Sequence, residues 1–276
     1  MLVNLKEILK IAEEEKSAVG MFNATGFDSL QAVIGAAEEL NRPVIIAHAE
    51  VHNVYNDISF VGPAMTAAAK NAKVPVCVQQ MIYRALRIGF TSVMIDASAL
   101  AYEENLRLTK EITEISHAMG VSVEAELGRM VTGESGSAEI ADAKPEDFYT
   151  DPEEAKAFCE ATGIDALAIA FGTAHGFYKS QPKLDFGIVE KCAASTGLPL
   201  VMHGGSGVSE DGFCKAIAGG IRKINYYSYM SKAGYMAAKA YIERGKSNYL
   251  HDVEYSAMQA MKEDVKKAIK IFSAGK

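Results

Sequence analysis

Short apolar runs alternate with amphipathic stretches along the whole chain. Runs at residues 18–22, 44–47, 74–78, Ser92–Ile95, 122–126, 166–170, Leu200–Met202 and 221–224 have the length and character of buried strands. Between them, residues 29–40, 64–72, 103–119, 152–161, 186–195 and 210–218 carry the i, i+3, i+4 apolar spacing of helices packed on a sheet. Thr150-Asp151-Pro152-Glu153 reads as a helix start, with a cap, a proline in the first turn and an acid near the positive helix end. Gly120, Gly163 and Gly197 follow helices as C-terminal caps do. Strands and helices in strict alternation imply a parallel sheet with helices outside it. Eight repeats predict an α/β fold, a closed (β/α)8 TIM barrel. An open doubly wound sheet is disfavoured because no G-x-G-x-x-G follows the first strand. Helical patterns at Leu5–Glu15, 229–244 and 253–272 add N-terminal and C-terminal helices. No linker interrupts the pattern, so residues 1–276 are expected to form a single barrel domain.

The composition narrows the class. In 276 residues, 49% are hydrophobic, ample for a large core. The net charge of −7 and the lack of a basic stripe argue against nucleic acid as a partner. Cys77, Cys159, Cys192 and Cys214 are scattered without C-x-x-C spacing, as expected of reduced thiols in a cytoplasmic protein. Neither a signal peptide nor a stretch of membrane-spanning length is expected.

One junction breaks the alternation. The run at 74–78 leads directly into Gln79-Gln-Met-Ile-Tyr-Arg-Ala-Leu-Arg-Ile88, which has helical spacing and ends at Gly89. Connections of this kind take roughly 2–6 residues, and no capping residue is present. Either the helix unwinds at its start to form the loop, or residues are lacking at the C-terminal end of the third strand. Catalytic residues of a barrel are expected on that face.

Three constellations carry candidate chemistry. In Leu200-Val-Met-His-Gly-Gly-Ser-Gly207 a strand ends in His203 and a glycine turn whose backbone N–H groups suit a phosphate. In Ile169-Ala-Phe-Gly-Thr-Ala-His175-Gly-Phe-Tyr178 a second strand runs into His175. Two imidazoles on one barrel rim suit zinc, although two do not complete a zinc site and plain hydrogen-bonding roles fit equally. Asp96 and Glu126 end the fourth and fifth strands, where carboxylates hold or orient a metal or form buried ion pairs. Glu124 shares a strand face with Glu126. Residues 129–148 read as a mobile polar loop in which Glu134 is either a proton carrier or a solvated acid. His117 and His251 read as solvated. His48 and His52 follow the second strand on the functional face, without flanking glycines.

Together with these constellations, Ala18-Val-Gly-Met-Phe-Asn23, Gly89-Phe-Thr-Ser-Val-Met-Ile-Asp96, Val121-Ser-Val-Glu-Ala-Glu-Leu-Gly128, Tyr149-Thr-Asp-Pro-Glu-Glu-Ala155, Gly172-Thr-Ala-His-Gly176, Pro182-Lys-Leu-Asp-Phe186 and His203-Gly-Gly-Ser-Gly207 resemble, in order, the class II zinc-dependent ketose-bisphosphate aldolases. The resemblance implies a TIM barrel, a catalytic Zn2+ with a possible second, monovalent cation, and reversible cleavage of a ketose phosphate to dihydroxyacetone phosphate and an aldehyde. It also implies a homodimer or homotetramer. Carried over, His175 and His203 match two zinc ligands, and Glu126 and Asp96 match acids beside the metal. Glu134 matches the mobile-loop acid, and Asn23 a substrate contact. Gly176, Gly204, Gly205, Ser206, Asn225 and Ser228 match the site for the phosphate of the dihydroxyacetone half.

The departures from the pattern are local. The family's His-x-Asp-His-Gly, which follows the third strand and supplies a catalytic aspartate and the third zinc histidine, is absent after Val78. The chain is short there by roughly eight residues, about one loop and a cap. The preferred expectation is a loop that belongs to the intact protein but not to these 276 residues. The alternative is an inactive barrel that only binds sugar phosphates; an isomerase or epimerase barrel is a more distant rival. The last strand leads into Asn225-Tyr-Tyr227-Ser228 where the family has Asn-x-Asp/Asn-Thr. The family's C-terminal Asp-Pro-Arg, whose arginine grips the distal phosphate, appears as Gly245-Lys-Ser247, which leaves recognition of a second phosphate open.

Overall fold

The structure, a computed structural model, describes residues 1–81, 84–128, 131–132, 149–175, 182–245 and 247–274. Eight parallel strands close on themselves: β2 (Val19–Asn23), β3 (Val44–His48), β4 (Val76–Met81), β5 (Ser92–Ile95), β6 (Ser122–Leu127), β8 (Ala166–Ile169), β10 (Leu200–Met202) and β11 (Ile221–Asn225), with β11 pairing back to β2. This is the expected TIM barrel. A two-residue strand, β1 (Leu2–Val3), pairs with the start of β4. Above the rim, β7 (Val131–Thr132) pairs with β9 (Ala174–His175).

Strand alternation separates two apolar layers. Phe22, Ile46, Val78, Val93, Val123, Leu167 and Leu200 join the core beneath the outer helices. The intervening positions Val19, Met21, Ile45, Ala47, Cys77, Ala166, Ala168 and Val201 form a second cluster inside the barrel. That inner cluster is completed by Leu5, Ile8, Leu9 and Ala12 of α1 (Leu5–Glu15), one apolar face at helical spacing that plugs the barrel's lower end. Asn4 and Glu7 form a reciprocal capping box that fixes where α1 begins. Active chemistry is thereby confined to the opposite, C-terminal end of the strands.

The outer helices are α2 (Phe27–Leu40), α3 (Ile58–Asn71), α4 (Arg84–Ile88), α5 (Tyr102–Ala118), α6 (Pro152–Thr162), α7 (Phe186–Thr196) and α8 (Glu210–Gly219). Asp151 caps α6 by accepting from the N–H groups of Glu153 and Glu154, as the sequence implied. The C-terminal additions α9 (Ser228–Glu243) and α10 (Leu250–Phe272) pack on each other, and α10 also lies along α2. No described helix is long and apolar enough to cross a membrane.

The junction after Val78 differs from the helix read at Gln79–Ile88. β4 continues through Gln79 and Gln80 to Met81, and helix resumes only at Arg84. The ladder explains this. His48 pairs with Gln80 on one side, while Ser92, Val93 and Met94 pair with Gln79, Gln80 and Met81 on the other. The Gln79 amide donates to Ser92 Oγ (3.3 Å) and Glu124 Oε2 (2.9 Å). Two-sided pairing outweighs a local helical period.

Candidate active site

A cavity of about 330 Å³ opens at the C-terminal end of the barrel. Its wall includes Asn23 from the end of β2, His48 from β3, Gln79 and Gln80 from β4, Asp96 after β5, His203 after β10, Asn225 at the end of β11 and Tyr226 to Ser228 beyond it. Catalytic candidates that lie far apart in sequence thus meet because every strand points the same way.

His203 sits beneath the mouth with only 3% of its surface exposed. Its Nε2 lies 2.9 Å from Glu124 Oε1 and its Nδ1 lies 3.0 Å from Glu126 Oε2. The shared face of Glu124 and Glu126 brings both carboxylates to one ring. Burial alone would lower the imidazole pKa, but the two carboxylates overcome it and raise it to about 9. Below Glu124 lies Lys223, wholly buried, with Nζ at 2.8 Å from Glu124 Oε2 and 2.7 Å from Asn225 Oδ1. Burial raises the Glu124 pKa, yet Lys223 and His203 outweigh it and hold the carboxyl near 2. A layer of alternating charge therefore crosses the barrel under the cavity.

Asp96 is exposed at the cavity wall and accepts from Ser98 Oγ (2.7 Å), which also reaches Glu126 Oε1 (3.3 Å). Ser98 thus links the two acids read from the sequence. The His175 backbone belongs to β9, but its side chain lies outside the described residues, as do Glu134 and Gly176. A catalytic zinc normally takes three protein ligands. Among the described residues no group of three or more His, Cys, Asp or Glu side chains is arranged to hold a metal ion. His203 is engaged by two carboxylates, and Gln79 and Gln80 occupy the end of β4. The described residues therefore do not complete a zinc site.

On the opposite wall, Ser206, Asn225 and Ser228 line the cavity beside the start of α9, whose N-cap Tyr227 makes no side-chain cap bond. An uncapped helix start presents backbone N–H groups and a positive dipole end to an anion. The glycine turn contributes less directly than its sequence suggests. Gly204 has φ +64°, and a Cβ there would fall 2.2 Å from the Ala174 carbonyl oxygen. Gly205 donates its N–H to Asn225 O (3.0 Å), so that group does not face a phosphate, a correction to the cradle read from the sequence. The Tyr227 N–H is likewise held by Ser206 Oγ (3.1 Å).

Several residues in the wall and beneath it escaped the sequence reading. Lys223 is a charged residue at an inward position of an apolar strand, a pattern that signals a buried ion pair. His48 and His52, set aside for want of glycines, both line the cavity and are 1% and 8% exposed. Tyr226 and Tyr227 face the cavity, whereas Tyr229 is not among its lining residues. Ser247 Oγ contacts Asp252 and accepts from the Tyr249 N–H at the start of α10.

Burial lowers the pKa of His48 and of His52 below 6.5, against the Asn56 carbonyl at His48 and reinforced by the neighbouring charge at His52. The folded state then sheds protons that the unfolded chain retains. Stability from this source is complete above pH 6.5 and falls as pH drops through that value. The slope is about 1.4 kcal/mol per pH unit for each excess proton on the unfolded chain. Urea midpoints between pH 7.5 and pH 5 should fall more steeply in the wild type than in a His48→Gln/His52→Gln protein; equal slopes would remove both rings from the account.

An eight-stranded barrel with a cavity at its C-terminal mouth, lined by side chains from six strand ends and by the start of a helix, has the architecture of a TIM-barrel enzyme. Comparison with known proteins agrees. The family model for fructose-bisphosphate aldolase class-II matches residues 3–276. A fructose-bisphosphate aldolase of Staphylococcus aureus (strain Mu50 / ATCC 700699) is 39% identical over 285 positions, covering 98% of this chain and 97% of that protein. The crystal structure of the YdjI aldolase from Escherichia coli K12 superposes with a TM-score of 0.86 at 34% identity, covering 99% of this chain and 97% of that one. The chain belongs to the class II fructose-bisphosphate aldolase family, whose members are lyases. The Staphylococcus alignment spans more positions than the 276 residues of this chain, so that relative carries residues with no counterpart here.

Proposed function

We propose that the intact protein is a zinc-dependent aldolase that reversibly cleaves a ketose 1-phosphate to dihydroxyacetone phosphate and an aldehyde. Family membership gives the reaction class, and the cavity between His203 and the start of α9 supports the reading. Ser206, Ser228, Asn225 and the α9 N-terminus, with Gly204 and Gly176 in the adjoining turns, would take the phosphate of the dihydroxyacetone half. Asn23 would orient the substrate across the cavity. His203 and His175 would serve as ligands, with Glu126 and Asp96 beside them and Glu134 as the loop acid. Held by His203, His175 and a histidine of the absent loop, zinc would supply Lewis-acid chemistry at the substrate carbonyl.

No lysine or arginine is among the described residues of the cavity wall. Two outcomes follow. In protein with the complete loop, fructose 1,6-bisphosphate should show no kcat/KM advantage over ketose 1-phosphates. A preference of about a hundredfold, roughly 2.7 kcal/mol in transition-state binding, would reveal another residue gripping the distal phosphate. Borohydride added with dihydroxyacetone phosphate should leave the protein mass unchanged, because Lys223 is buried in its ion pair rather than available for a Schiff base. A reduced adduct would refute the metal-dependent mechanism.

The continuation of β4 through Gln79 and Gln80 favours a second reading for the 276-residue chain itself, a barrel that binds sugar phosphates without cleaving them. Tight binding of dihydroxyacetone phosphate without turnover identifies this state.

A further inference from the structure

We propose that His48 and His52 form the subsite for the carbon chain beyond the phosphorylated end of the substrate, where they receive hydroxyl groups of an uncharged polyol rather than a second phosphate. This rests on the sugar-phosphate reading above and specifies the other end of the same cavity.

The two rings are neighbours in the wall, with centroids 6.2 Å apart and planes at 84°. His48 ends β3, and His52 lies in the short 3-10 turn Glu50–His52 that follows it. His52 also lies 5.0 Å from the ring of Tyr227, the residue that precedes Ser228 on the phosphate side. The pair therefore adjoins the phosphate end without being part of it.

Hydrogen bonding defines what the pair lacks. The Nδ1 atoms of His48 and His52 are both buried and have no hydrogen-bond partner among the described residues. For His48 the chemistry is fixed by its other nitrogen, which lies 3.0 Å from the Asn56 carbonyl oxygen. A carbonyl only accepts, so Nε2 carries the proton and Nδ1 presents a lone pair. The carbonyl is held in place in turn, because Asn56 Nδ2 donates to Thr25 O at 2.8 Å. A buried lone pair with no donor is costly to maintain in the protein alone. A sugar hydroxyl, which both donates and accepts, supplies the missing partner. A phosphate oxygen, which only accepts, does not.

The rest of the wall points the same way. Among its described residues the polar groups near the pair are neutral, with Asn23 and Gln80 alongside. His203 is already engaged by Glu124 and Glu126, and Asp96 is a carboxylate in the same wall. Among the described wall residues an anionic distal end would meet a lone pair and a carboxylate but no lysine or arginine. A neutral hydroxylated chain meets the uncharged donors and acceptors of Asn23, Gln80 and His48.

Calorimetric titration of the 276-residue protein with dihydroxyacetone phosphate, D-fructose 1-phosphate and D-fructose 1,6-bisphosphate tests the assignment. D-fructose 1-phosphate should bind about tenfold more tightly than dihydroxyacetone phosphate, the increment of one net buried hydrogen bond. The bisphosphate should bind at least about tenfold more weakly than the 1-phosphate. His48→Phe and His52→Phe should each erase most of the increment while binding of the shorter dihydroxyacetone phosphate stays within about twofold. Variants that keep the increment, or a bisphosphate that binds as tightly as the 1-phosphate, would overturn the subsite and leave the phosphate reading standing. Failure of dihydroxyacetone phosphate to bind would overturn both. Wild-type protein with 15N-labelled histidine gives an answer that needs no variant to fold. The His48 Nδ1 resonance should move on saturation with D-fructose 1-phosphate and stay in place with dihydroxyacetone phosphate; an unmoved resonance with both contradicts the proposal.

Discussion

Replacing Glu124 with alanine is expected to destabilise the protein by about 3–5 kcal/mol, the cost of leaving a buried charge without its partner. Glu124 and Lys223 are both wholly buried, and Nζ lies 2.8 Å from the carboxylate. Removing the carboxylate strands Lys223 in the barrel interior, with the Asn225 amide oxygen as its remaining acceptor among the described residues. It also takes from Gln79 Nε2 the acceptor at 2.9 Å and from His203 one of its two carboxylates. Glu124→Gln keeps the shape but not the charge and should fall between the two. Lys223→Met added to Glu124→Leu should return much of the lost stability, because a matched apolar pair carries no desolvation penalty. Urea unfolding followed by circular dichroism measures all four proteins. A loss below about 1 kcal/mol for Glu124→Ala would mean that water reaches the pair and screens it.

This charged layer also marks where sequence reasoning runs out. The eight strands were legible because each is a short apolar run bounded by helical spacing. Their inward faces follow from alternation: Glu124 and Glu126 were placed on one face of β6, and both contact His203. The plug formed by α1 was legible as a helix, though not as the lid on the barrel's lower end, since periodicity says which face is apolar and not what it meets. Contacts between strands were not legible. That Lys223 of β11 reaches Glu124 of β6, three strands away around the barrel, depends on register and closure, which no local pattern encodes. The extent of β4 failed for a related reason. Gln79–Ile88 has a helical period, but pairing with β3 and β5 takes its first three residues into the sheet. His48 and His52 were undervalued because flanking glycines are a sign of tight turns, whereas their entry into the wall is set by the 3-10 turn after β3. The glycine turn was read as a set of backbone N–H groups open to a phosphate, but Gly205 spends its N–H on Asn225, a partner visible only in the folded chain.

Supplying the His-x-Asp-His-Gly loop between β4 and α4 is expected to turn a metal-poor, inactive chain into one that retains one zinc per chain and cleaves ketose 1-phosphates. Only two residues separate Met81 from Arg84, and Gln79 and Gln80 are drawn into the sheet at the height of Ser92 and Val93. The connection therefore presents no histidine and no aspartate where the resemblance requires both. Without a third ligand the site should hold zinc weakly. Without the aspartate the proton transfer loses its carrier, a contribution of about 10²–10⁴-fold by itself. Loss of the metal removes several kcal/mol of transition-state stabilisation besides, so the combined gain on restoring the loop should be on the order of 10⁴-fold or more. Elemental analysis after dialysis should find stoichiometric zinc in the loop-bearing protein, little in the 276-residue chain, and a loss of zinc from the loop-bearing protein on His175→Ala/His203→Ala substitution. A chelator should abolish the restored cleavage. Stoichiometric zinc retained by the doubly substituted protein would show that the metal sits elsewhere. Equal cleavage by the two chains would show that the residues already around the cavity suffice, and that Gln79 and Gln80 mark a different solution to the same chemistry.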